Sequence, residues 1–71
     1  MRKADITKLA VQDIVLLIRE WSEETQKEFA KDVGKSYSSI TKIETGDRNI
    51  YLHTFLDWCK KKNIKIIIKK E

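Results

Sequence analysis

The chain has 71 residues, with 15 Lys+Arg against 11 Asp+Glu for a net charge of +4, one cysteine (Cys59) and one histidine (His53). That length predicts a single domain, residues 1–71, with a small core, and the cysteine and histidine counts exclude a disulfide framework and a zinc cluster, so neither metal nor cofactor is expected. No apolar run is long enough to span a bilayer or to serve as a cleaved leader, which predicts a soluble cytoplasmic protein with no membrane contact and Cys59 as a small core residue.

In chain order, Val11, Ile14, Val15, Ile18 and Trp21 recur with helical spacing and predict a first helix, capped by Asp5 or Thr7. Residues 22–24 read as a short connection. Thr25-Gln26-Lys27-Glu28 is a capping box: the Thr25 hydroxyl can accept from the Glu28 amide while the Glu28 carboxylate reaches back to the Thr25 amide. This sets the start of a second helix with Phe29, Ala30 and Val33 inward. Gly34 stops it in the left-handed conformation. Ser36 caps a third helix with Ile40 and Ile43 inward, and Gly46 closes that one. Residues 47–50 form a polar loop. Leu52, Phe55, Leu56 and Cys59 predict a further helical face with Trp58 beside it, and Lys60-Lys61-Lys62 a solvated helix end. Both tryptophans are expected in the core and His53 on the surface. From Ile64 to Lys70 the period changes to two, with Ile64, Ile66 and Ile68 on one face, which predicts a short C-terminal β-strand, 64–70.

Charge is unevenly spread. Residues 1–34 carry six basic and seven acidic side chains, a balance of −1, and residues 35–71 carry nine and four, a balance of +5. A basic half on a small domain suggests a polyanionic partner. Glu20, Glu23, Glu24 and Asp57 read as solvated helix surface. No side-chain constellation suggests catalysis, so the chain is not expected to be an enzyme.

Residues 25–46 have the features of a helix-turn-helix: a small residue where two helices pass, a glycine at the turn, and a shared inner face of Phe29, Val33, Ile40 and Ile43. Such packing leaves the outer face of the third helix as a ridge of the width that enters the DNA major groove. The pattern T-Q-x-E-F-A-x-x-V-G at 25–34, S-x-x-x-I-x-x-I-E-x-G at 36–46 and the following R-N resembles the phage-repressor and Cro-like helix-turn-helix family, also called the xenobiotic-response-element family, over roughly residues 11–64. The resemblance implies an all-α bundle of about five helices that binds double-stranded DNA, often as a dimer, with 36–45 as the recognition helix. It implies that Gln26 meets a phosphate, that Ser36, Tyr37 and Ser38 lie nearest the bases, and that Thr41 and Lys42 point into or along the groove. It implies also that Thr45, Arg48 and Asn49 grip the backbone beyond, and that Arg19 and Glu44 form an internal ion pair.

The sequence departs from that family's pattern at Glu24, where leucine is usual, at Ile50, where proline is common, and at Lys62, where an apolar residue stands. The recognition helix also lacks Arg, Gln and Asn, the side chains best suited to bidentate base readout. Two functions follow. One is a DNA-binding transcriptional regulator of phage, prophage or antitoxin type. The other is a helix-turn-helix fold that holds another regulatory protein with little DNA binding of its own. The alternating tail suggests a homodimer in which Ile64, Ile66 and Ile68 pair with a second copy, or with residues 2–6 of the same chain.

Overall fold

In the computed structural model, residues 2–71 are described, and they form a 3-10 turn (Ile6–Lys8) and four α-helices: α1 (Val11–Trp21), α2 (Gln26–Val33), α3 (Tyr37–Glu44) and α4 (Leu52–Lys61). Asp5 caps the 3-10 turn by accepting from the Thr7 amide at 3.1 Å. It does not start α1, which follows Ala10 without a side-chain cap. At α2 the capping box is complete in both directions: the Glu28 amide donates to Thr25 Oγ1 at 3.2 Å, and the Thr25 amide donates to Glu28 Oε1 at 2.9 Å. Ser36 Oγ accepts from the Ser39 amide at 3.1 Å and starts α3.

All four helices end the same way. One residue turns left-handed, and the next amide bonds back to a carbonyl five residues earlier, as Lys35 does to Ala30 (2.9 Å), Asp47 to Lys42 (2.9 Å) and Ile64 to Cys59 (2.8 Å). Gly34 and Gly46 occupy two of these positions, at φ +72° and +86°. Glu23 and Asn63 occupy the others, at φ 58° and 57°. Asn tolerates this conformation, but Glu has no local hydrogen bond to compensate the close approach of its Cβ to the backbone. Glu23→Gly is therefore expected to stabilise the chain by ~0.5 kcal/mol, the strain relieved exceeding the added flexibility of the unfolded state. Its melting temperature should rise by ~2–4 °C; a lower melting temperature than the parent chain would show that Glu23 contributes more through its exposed contact with Arg2 (3.8 Å) than it costs in backbone strain.

The core is one cluster drawn from every α-helix: Val15 and Ile18; Phe29, Ala30 and Val33; Ile40 and Ile43; Phe55, Trp58 and Cys59. Phe29 and Trp58 meet edge to face at 5.5 Å between ring centroids. Burial pushes the Cys59 thiol above its ordinary value, so it stays protonated and unreactive at neutral pH. Trp21 is only half-buried. α4 is turned further than its apolar spacing predicts: Phe55, Trp58 and Cys59 face inward, while Leu52 is 71% exposed and Leu56 lies at the surface.

Two expectations of the fold are corrected. The described residues contain four α-helices, not about five, and no β-strand. After Asn63 the chain has no regular structure, no backbone hydrogen bond among the described residues joins 65–71 to anything else, and residues 2–4 make none to it. A strand exists only through its ladder, and alternation alone supplies none. Ile64 packs against the core, whereas Ile68 is 94% exposed, so the three isoleucines do not share one environment.

Candidate nucleic-acid interface

The α2–α3 corner sets up the site. With Gly34 reversing the chain and Ala30 buried between the helices, α3 packs on α2 through Ile40 and Ile43 and leaves its other side to solvent. Tyr37, Ser38, Lys42, Thr45, Arg48 and Asn49 are all exposed along that side and in the loop beyond it, and Ser36 is exposed at the cap. The loop is drawn back over the helix: the amides of Asp47 and Arg48 both donate to the Lys42 carbonyl, and Arg48 Nη1 donates to Ser39 Oγ at 2.9 Å. Ser39 Oγ in turn sits 2.9 Å from Ser36 Oγ. Arg48 is thus tied across to the first turn of α3. That contact joins residues nine apart and has no local sequence signature. Lys27 on α2, absent from the sequence-derived set, places its ammonium 5.6 Å from the Tyr37 ring and adds a cation beside it.

Two predicted contact residues face inward instead. Gln26 is half-buried; its Nε2 donates to Glu44 Oε1 at 3.0 Å, and its Oε1 accepts from the Thr41 hydroxyl at 3.4 Å. Thr41 also bonds back to the Tyr37 carbonyl at 3.1 Å. Both belong to a chain of hydrogen bonds anchored on Arg19 and Glu44. Arg19 Nε donates to Glu44 Oε2 at 2.7 Å and Nη2 to Oε1 at 3.1 Å, while Nη1 donates to the Glu24 carbonyl at 2.9 Å. The pair is well enclosed, with side chains 18% and 5% exposed. The Glu44 hydrogen bond holds the Arg19 guanidinium still more firmly protonated than usual. This network fixes the end of α3 against α1 and against the start of α2.

A second ionic cluster links the remaining helix to the corner. Lys62 Nζ, just past α4, lies against Glu24 Oε1 and 2.7 Å from Asp32 Oδ2, and 5.5 Å from the Phe29 ring. The Lys62 and Glu24 side chains are 12% and 15% exposed, so Lys62 is not part of a solvated lysine run. Glu24 Oε1 is closed off from solvent and accepts no directed hydrogen bond; the ammonium's directed bond goes to Asp32. Two of the departures from the family's pattern are therefore one substitution in space: an ion pair stands where two apolar residues would meet. Burial, with Asp32 beside it, holds the Glu24 carboxyl above its ordinary value, and the two carboxylates hold Lys62 above its own despite burial.

Of the acidic residues Glu23, Glu24, Glu28 and Asp32, which lie before and along α2, Glu23 stays exposed and the other three have partners. Glu24 and Asp32 share Lys62, whose single charge offsets one of the two carboxylates. The Glu28 carboxylate is occupied by the helix cap, whose Thr25 amide and hydroxyl hold it below the usual carboxylate range. Asp47 remains exposed in the loop. Among the described residues no group of three or more metal-ligating side chains occurs, and no helix is long and apolar enough to cross a membrane.

Comparison with known proteins agrees with this geometry. The family described as Helix-turn-helix matches residues 18–66. Two solved structures, one described as "MDT Protein" and the other as "Structure of HipA-HipB-O2-O3 complex", each share 21% identity with the chain. Each covers 99% of this chain and 96% of its own, with a TM-score of 0.62. At that identity the likeness is one of fold. No curated protein matches the chain.

Proposed function

The chain belongs to the helix-turn-helix family, of the Cro-like type, and from that membership we propose that it is a DNA-binding transcriptional regulator acting as a phage-repressor-like protein in the cytoplasm. The observation that carries the reading is the exposed side of α3 with its loop, where Lys42, Arg48 and Asn49 stand beside Tyr37 and Ser38 while the nearby carboxylates Glu24, Glu28 and Asp32 are engaged elsewhere. α3 enters the major groove, Tyr37 and Ser38 reach base edges, and Lys42, Arg48 and Asn49 meet phosphates. With neither Arg, Gln nor Asn on α3, sequence preference rests on hydroxyl contacts, bridging water and DNA shape. Gln26 and Thr41 contribute by holding α3 in place. Two copies on a two-fold site, with recognition helices ~34 Å apart, complete the proposal.

Lys42→Ala and Arg48→Ala are each expected to weaken binding to all DNA sequences alike and to lower the slope of log K against log salt by about one, whereas Tyr37→Ala changes the ranking of sequences. Fluorescence polarisation against mixed genomic fragments at two salt concentrations reads both effects. Unchanged binding in all three variants removes the proposal.

One observation favours a second reading, a helix-turn-helix fold that docks a protein partner: Leu52 and Leu56 on α4, with Tyr51 just before it, leave apolar surface uncovered. The structural neighbour from the HipA-HipB-O2-O3 complex is itself part of an assembly, which makes a protein partner a natural companion to this reading. Salt-insensitive failure to bind any DNA, with the fold intact, would select it.

A further inference from the structure

Away from α2, α3 and the loop after them, a cavity of about 560 Å³ lies between α1 and the two terminal segments. Its walls are apolar and include Ile14, Leu17, Trp21, Phe55 and Ile64. The charged residues lining it are Arg2, Lys3, Lys65 and Lys69, and no carboxylate of the described residues joins them. A volume of this order suits a small molecule. An apolar interior alone would accept any oily compound. Four cations, of which only Arg2 has a carboxylate of the described residues near it, the exposed Glu23 at 3.8 Å, select a compound that also carries a negative head. Two sides of the cavity are segments 2–4 and 65–69, and no backbone hydrogen bond ties one to the other.

We propose that this cavity binds an amphiphilic monocarboxylate, with its alkyl chain against Leu17, Trp21 and Phe55 and its carboxylate at the rim formed by Arg2, Lys3, Lys65 and Lys69. Arg2 is available for this role, since its ion contact to Glu23, at 3.8 Å, is exposed and long. None of the lining residues is one assigned above to DNA, so the site stands whether or not the chain binds DNA.

Calorimetric titration of the full chain with decanoate, held well below its micelle-forming concentration, tests the proposal. Decanol and decyltrimethylammonium serve as neutral and cationic partners of the same length. The expected result is saturable binding of one decanoate per chain, about tenfold or more tighter than either control. Lys65→Glu combined with Lys69→Glu should weaken decanoate about tenfold, and Leu17→Trp, which fills the cavity, should abolish binding. Circular dichroism checks that each variant folds. If Leu17→Trp does not fold, the charge reversal still decides, because both its positions lie outside every helix. Absence of saturable binding, equal affinity for decanoate and decanol, or unchanged affinity in the charge-reversed variant would each overturn the proposal. So would binding to anionic phosphatidylglycerol vesicles without binding of soluble decanoate.

Discussion

Arg19→Met is expected to destabilise the folded chain by ~3 kcal/mol, because it leaves the Glu44 carboxylate enclosed with no cation to balance it. The same change removes the bond from Arg19 Nη1 to the Glu24 carbonyl and leaves Gln26 as a lone donor to Glu44. A domain of this size is held by only ~5–10 kcal/mol in total, so the loss is a large share of its stability. Glu44→Leu added to Arg19→Met should recover most of it, since two apolar side chains of similar length need no partner charge. Urea unfolding followed by far-ultraviolet circular dichroism reads the effect directly: with a slope of ~1–3 kcal/mol per molar, the midpoint should fall by about 1 M or more. A midpoint shift no larger than that of Lys31→Met, at an exposed position, would mean that the pair contributes only as surface charge.

Lys62→Met carries the second large effect. Glu24 is as enclosed as Lys62, and without the ammonium its ionised form is stranded. A loss of ~2–3 kcal/mol is expected, less than for a fully buried pair because Asp32, 53% exposed, opens the cluster to solvent. The sign of the pH dependence is specific. Glu24 already titrates above its ordinary value in the folded chain, and losing Lys62 raises it further. A carboxyl raised by folding favours the folded state below its ordinary value, and that contribution disappears as pH rises through the raised one. The Lys62→Met variant should therefore regain stability as pH falls from neutral toward ~4.3, in the direction opposite to ordinary acid unfolding. In the parent chain Lys62 is held above its ordinary value, so its contribution is complete at neutral pH and is lost only as strongly alkaline pH removes its proton. Lys62→Met with Glu24→Leu should abolish the acid recovery and restore most of the stability. A flat profile in the single variant would show that Glu24 finds another partner.

What the sequence made legible follows the range of the interactions. The helix-turn-helix was readable because its determinants are local: Thr25 and Glu28 three apart, Gly34 and Gly46 at helix ends, Phe29, Val33, Ile40 and Ile43 at helical spacing. The tail misled because the period of Ile64, Ile66 and Ile68 describes side chains, while a strand depends on a distant backbone partner. Leu52 follows the same spacing as Phe55 and Cys59 but falls outside the arc that meets the core, and only the tilt of α4 decides that. Glu24 and Lys62 each looked out of place because their compatibility lies in a contact spanning 38 positions of sequence. For the candidate interface, exposure of Tyr37, Ser38 and Lys42 follows from the helical spacing of Ile40 and Ile43, whereas the hydrogen bonds that hold Gln26 do not, because they depend on Glu44 and Thr41, both on α3.

The unequal burial of the two tryptophans makes the chain its own pair of optical reporters. Trp58, 2% exposed and edge to face with Phe29, sits in the apolar core and should emit toward the blue. Trp21, half-buried at the opposite end of α1 from Val11, meets solvent and should emit toward the red. A soluble quencher such as acrylamide should therefore extinguish the red component first and leave the blue one until the domain opens. Replacing either ring by phenylalanine would give a chain whose light comes from one address: the packed centre with Trp58, the α1 surface with Trp21.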